Sequence, residues 1–118
     1  MSITQHGALT IFSLPEGETL LGADLTATDL IGEAYHVDPD IIAVPVNRLA
    51  PGFLLLRTGI AGEVFQKMEQ YGRRLAVVGD IEGPVGQSSA LADFVRETNR
   101  RAHHLFVPDH ESLITRLG

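Results

Sequence analysis

Along this chain, segments whose apolar residues recur at helical spacing alternate with short unbroken apolar runs. The clearest case spans Arg57 to Asp80, RTGIAGEVFQKMEQYGRRLAVVGD. Ile60, Val64, Phe65 and Met68 share one face of a helix, with Gln66, Lys67, Glu69 and Gln70 on the wet side. Gly72 stops that helix. Leu75 to Val78 then run without a polar break, as in a strand covered on both faces.

The same reading extends to both ends. Ser2 to His6 and Ala8 to Leu14 flank Gly7 and predict an N-terminal hairpin, with a turn at Pro15, Glu16 and Gly17. Thr26 and Asp29 supply a cap and a first-turn acid for a helix whose buried stripe is Leu30, Ile31, Ala34 and Tyr35. Ile41 to Val46 read as a strand in which Pro45, lacking an amide donor, belongs at a bulge or away from a ladder partner. In the run Phe53 to Leu56, Leu54 and Leu56 suit the core, while Phe53 fits either the core or a protein contact. Ile81 to Ser89, IEGPVGQSS, reads as a glycine-rich loop. Ser88 or Ser89 then caps a helix with Leu91, Phe94, Val95 and Thr98 inward and Ala102 closing that face. HHLFVP from His103 gives a last strand, and Asp109 caps a short helix lined by Leu113, Ile114 and Leu117. This order predicts a single α/β layered domain over residues 1–118, with a mixed sheet, an N-terminal antiparallel hairpin, parallel later strands and four helices.

Composition narrows the function classes. At 118 residues and 44% hydrophobic content the chain can bury a core unaided, and with no cysteine it has no disulfide, thiolate metal site or thiol nucleophile. No apolar run approaches bilayer length and MSITQHG lacks the features of a leader, so a cytoplasmic location without membrane contact is expected. A formal charge of −6 opposes general affinity for nucleic acid. The basic pairs Arg73 with Arg74 and Arg100 with Arg101 stand at predicted helix ends, where they complement the dipoles.

The succession of elements resembles the STAS domain, the fold of anti-sigma-factor antagonists. More narrowly, FLLLRTGIAGEVFQKMEQYG, RLAVVGD and DFVRETN are similar to an uncharacterised bacterial family, domain of unknown function four-one-eight-zero, with its TGxAGE, QKF, LAIVGD and DFxxESN pattern. Leu55 stands where that family often carries an acid, Met68 and Glu69 replace a phenylalanine and its neighbour, and Thr98 stands where serine is usual. In phosphorylatable STAS proteins a serine followed by glycine opens the helix after the third strand. The resemblance places Thr58, followed by Gly59, at that position and makes Thr58 the candidate phosphoacceptor.

Helix starts at Thr58, at Ser88 or Ser89, and at Asp109 each follow a parallel strand, so all three are expected on one edge of the sheet, the default ligand site. Free amides there favour an anion, Gly59 and Gly62 permit close backbone approach, and Arg57 adds a bidentate grip; ordinary capping and helix packing are the competing explanation. Asp80 at the end of a buried strand suits a ligand contact or base, and equally a turn acceptor. The loop glycines at 79, 83 and 86 lack a following GKS or GKT. Glu63 is expected to pair with Lys67 one turn on. His103 and His104, consecutive in a strand, would point to opposite faces and share no metal, so neither a metal nor a cofactor is expected. Arg96 and Asn99 read as an exposed polar face. The leading expectation is a non-enzymatic module binding a protein partner or a small anion through Arg57, Thr58, Gly59, Gly62, Asp80, Ser88 and Ser89. The alternative is a small enzyme with Asp80 as base, Ser88 or Ser89 as hydrogen-bond donor and Arg57 holding an anionic substrate. A homodimeric structural protein is a third reading.

Overall fold

In the computed structural model, which describes residues 2–15 and 17–117, five strands form one mixed sheet in the order of the sequence. Strand β1 (Ser2–His6) pairs antiparallel with β2 (Leu9–Ser13), and β3 (Ile41–Pro45), β4 (Leu75–Val78) and β5 (Leu105–Val107) continue the sheet in parallel. The expected turn at Pro15 to Gly17 contains Glu16, which lies outside the described residues. No helix among the described residues is long and apolar enough to cross a membrane.

Among the described residues five α-helices, rather than four, accompany the sheet: α1 (Ala27–Ala34), α2 (Ile60–Gln70), α3 (Glu82–Gln87), α4 (Ser89–Arg101) and α5 (His110–Leu117). The additional one, α3, occupies EGPVGQ, read above as a loop because of its glycines and proline. Pro84 falls in its first turn, where a missing amide costs nothing. Helix α1 begins as expected, with a reciprocal box in which Asp29 N–H donates to Thr26 Oγ1 and Thr26 N–H donates to the Asp29 carboxylate, each 3.0 Å. Leu30, Ile31 and Ala34 are buried, but Tyr35 is 65% exposed because the helix ends beneath it. Gly72, at φ 67°, ends α2. Pro45 ends β3 opposite Val78, beyond the last β2 partner at Ala43.

The two faces of the sheet are covered unequally. Phe12, Ile42, Val44, Leu75, Val77 and Phe106 meet α1, α2 and α4 in the larger core. Ile11, Ile41, Ala43, Ala76, Leu105 and Val107 meet Leu113, Ile114 and Leu117 of α5 alone. Adjacent β4 residues therefore serve opposite cores, which accounts for its unbroken apolar run. Phe65 gathers the aromatic side chains of the larger core, with Phe53, Phe94, His104 and Phe106 rings around it at centroid distances of 4.7 to 6.0 Å. Phe53 is fully buried in the larger core and half-buried Leu54 packs against it, whereas Leu56 is half-buried outside both cores.

One edge is sealed by a side chain. Val107 C=O accepts from Gly79 N–H, so alternation turns the Phe106 amide and carbonyl away from β4. There Phe106 N–H donates to Asn99 Oδ1 at 2.8 Å, and Asn99 Nδ2 donates to Phe106 C=O at 3.1 Å. Asn99 thus replaces a neighbouring strand instead of belonging to an exposed polar face, whereas Arg96 pairs with Asp93 on the helix surface. Helix α4 ends at Ala102, which is exposed rather than closing the inward face. Its φ is 61°, and Arg74 donates to the Ala102 and His103 carbonyls at 2.9 Å each.

Removing the strand mimic in Asn99→Ala should cost about 1–2 kcal/mol in urea denaturation, with the Phe106 amide the first of β5 to lose protection in hydrogen exchange. Ala102→Gly should raise stability by up to about 1 kcal/mol, because glycine adopts the left-handed cap without a Cβ penalty.

Candidate functional site

The carboxyl edge of the parallel strands carries a cleft of about 790 Å³ between the segment after β3 and helix α3. Val46, Leu54, Leu55 and Arg57 form one wall, and Pro84 and Ser88 form the other. The first wall is anchored from behind by Arg48, which is 6% exposed. Its guanidinium donates to Thr19 C=O at 2.6 Å, to Thr19 Oγ1 at 2.7 Å and to Pro15 C=O, tying the loop after β2 to the segment that leaves β3. The sequence signals this role only weakly, since an arginine in a predicted loop has no periodic pattern to mark it.

Of the residues singled out above, Arg57 and Ser88 share this cleft, and the others are distributed around it. Arg57 is exposed, and no hydrogen bond or ion pair among the described residues engages its guanidinium. Ser88 caps α4 by accepting the Leu91 N–H at 3.1 Å; Ser89 is the first helical residue. Thr58 is not the cap of α2, because it ends a preceding 3-10 turn over Leu56–Thr58. Its hydroxyl lies 2.7 Å from Gly52 C=O and 2.8 Å from Leu55 C=O as donor, and it accepts the Ile60 N–H at 3.3 Å. The cap position belongs to Gly59, whose φ of 76° is a conformation that threonine would resist. Gly62 faces away from the cleft, and a Cβ there would meet nothing within 4 Å, so helix packing does not require it. Asp80 borders a separate cavity with Glu82 and Pro108, and its Oδ1 accepts Glu82 N–H at 2.9 Å to open α3. Asp109 likewise accepts Ser112 N–H at 2.7 Å, and this hydrogen bond holds its carboxyl below the usual range. The Glu63–Lys67 ion pair does not form; both side chains line a shallow cavity beside α1.

The expectation that His103 and His104 diverge is overturned. Both precede β5, in the bend created by Ala102, and their rings meet edge to face at 4.6 Å. With Glu69 they form a group whose ligand atoms lie within 4.8 Å of one another. His104 is 5% exposed, and its Nδ1 accepts the Leu75 N–H at 3.1 Å. The ring proton therefore resides on Nε2, 3.8 Å from Glu69 Oε1. A cation at Nε2 would require removal of that proton as well, so the arrangement does not suit a metal ligand.

Burial, aided by nearby His103 and Arg74 and opposed by Glu69 and the Phe65 backbone carbonyl, pushes the His104 pKa from 6.5 down to about 4. The unfolded chain thus binds a proton that the folded chain refuses over this window, and stability is full above pH 6.5 and falls toward pH 4. The loss should be on the order of 2 to 3 kcal/mol in urea denaturation at matched salt. His104→Leu, although less stable because the Leu75 amide loses its acceptor, should show a flatter pH dependence across the same interval.

No curated protein and no solved structure matches the chain. Residues 6–117, almost the whole sequence, match the family described as Domain of unknown function (DUF4180), and the chain belongs to that family.

Proposed function

We propose that this protein is a non-enzymatic, STAS-like binding module whose cleft at the carboxyl edge of β3 and β4 receives an anionic group attached to an apolar body, on a small ligand or a protein partner. The observation that carries this reading is the unengaged guanidinium of Arg57 beside Leu54, Leu55 and Pro84, in a chain of net charge −6. A cation held on an apolar wall attracts an anion more strongly than one in bulk water, because fewer solvent dipoles screen the pair. Leu55 is 48% exposed, an apolar surface that an occupant would cover.

A switch at Thr58 would act on the same wall. A phosphate there would bring about 1.5 to 2 negative charges next to Arg57 and detach the hydroxyl from Gly52 and Leu55. The enzyme alternative gains no comparable support, since Asp80 borders a different cavity from Arg57 and Ser88.

Octanoate, a carboxylate on an apolar chain, is the direct probe. It should shift the amide NMR signals of Leu55, Arg57 and Ser88 saturably, octanol and inorganic phosphate should bind more weakly, and Arg57→Ala should weaken octanoate by about tenfold. Equal binding to wild type and Arg57→Ala would remove the basis for the proposal.

A further inference from the structure

At β1 the sheet has an edge with no counterpart, among the described residues, to the Asn99 seal on β5. The hydrogen bonds of the neighbouring strands fix which of its backbone groups are free. Asp40 N–H donates to Thr10 C=O at 2.8 Å and Leu14 N–H donates to Ala43 C=O at 2.9 Å, so Thr10, Phe12 and Leu14 turn toward β3. Leu9, Ile11 and Ser13 therefore turn toward β1, where their partners are His6, Thr4 and Ser2. Alternation leaves Ile3 and Gln5 with amide and carbonyl directed outward, and among the described residues no backbone group bonds them.

Both faces beside this edge are open as well. Ile3, opposite Phe12 on the face of the larger core, is 56% exposed, and Gln5 on the same face is exposed. On the other face, the core under α5 reaches β2 but includes no residue of β1, and His6 is exposed. The strand SITQH also contains no proline and no aspartate, glutamate, lysine or arginine, the residues that commonly defend an exposed edge against pairing.

We propose that β1 pairs with β1 of a second copy of this chain, antiparallel about a two-fold axis through Thr4, and joins two five-strand sheets into one. Register selects a copy as the partner. With the axis at Thr4, Ser2 lies opposite His6, Ile3 opposite Gln5 and Thr4 opposite itself, so the whole strand is paired. The same register sets the outward amide and carbonyl of Ile3 against those of Gln5, and each finds its donor or acceptor. An axis between residues would set them against groups already bonded to β2, and an axis at Ile3 or Gln5 would shorten the paired stretch. Threonine against threonine is a favourable cross-strand pair, and Ile3 packs along the stem of the facing Gln5. No charged side chain of β1 meets another, which spares two chains of net charge −6 a local repulsion. A surface paired with itself about a two-fold axis is the commonest way in which soluble chains form dimers.

Sedimentation equilibrium of the full chain tests the assignment. A contact made by one short strand is smaller than a standard interface, so a dissociation constant on the order of 100 µM is expected. The amides of Ile3 and Gln5 should gain protection from hydrogen exchange as concentration rises. In a mixture of isotope-labelled and unlabelled chains, an intermolecular NOE should join the α hydrogens of Thr4, which face each other in this register. Gln5→Pro removes an amide that its own chain does not use, and Ile3→Lys places like charges beside the axis. Circular dichroism should be unchanged in both variants and association weaker by at least about tenfold. A chain that stays monomeric up to about 1 mM would overturn the proposal, as would a dimer that both variants leave intact. No residue of β1 lines the Arg57 cleft, so this measurement and the octanoate titration can fail separately.

Discussion

The handedness of the parallel crossovers governs the architecture. A strand, a helix and a second parallel strand connect in the right-handed sense, and when strands are added in sequence order every such crossover falls on the same face of the sheet. Helices α1, α2 and α4 therefore lie side by side over one face, and only the terminal α5, which joins no further strand, is free to cover the other. The larger core and the aromatic cluster around Phe65 follow from that crowding. So does the position of the Arg57 cleft, because the segments leaving the adjacent strands β3 and β4 emerge at one edge.

Features specified by local chemistry were legible in the sequence. The Thr26–Asp29 box, the glycine stop at Gly72, the stripe on α2 and the two-sided burial of β4 each depend on residues close together in the chain. Features that depend on distant partners were not. Helix α3 has poor intrinsic propensity and starts from the Asp80 carboxylate, so its composition reads as a loop. The paired histidines arise from a left-handed alanine, a conformation that composition does not announce. Asn99 acts on a strand seven residues onward through both ends of its amide, which no periodicity encodes.

The candidate site shows the same division. Arg57 and Ser88 come together because their strands are neighbours and parallel, a consequence of topology available from the order of elements. Thr58 and Asp80 follow the same two strands, yet each hydrogen-bonds within its own turn. The side chain that braces the cleft, Arg48, works through backbone carbonyls and a hydroxyl among the described residues.

The amide of Asn99 has a consequence for self-association. A sheet with two bare margins can add copies at either side without end, whereas among the described residues Asn99 covers the outward backbone groups of Phe106 on β5 and β1 is the other margin. Chains that met margin to margin would use up both available sides in the first encounter. Lateral pairing would thus terminate in a dimer and could not propagate into a filament, a safeguard built from a single planar side chain.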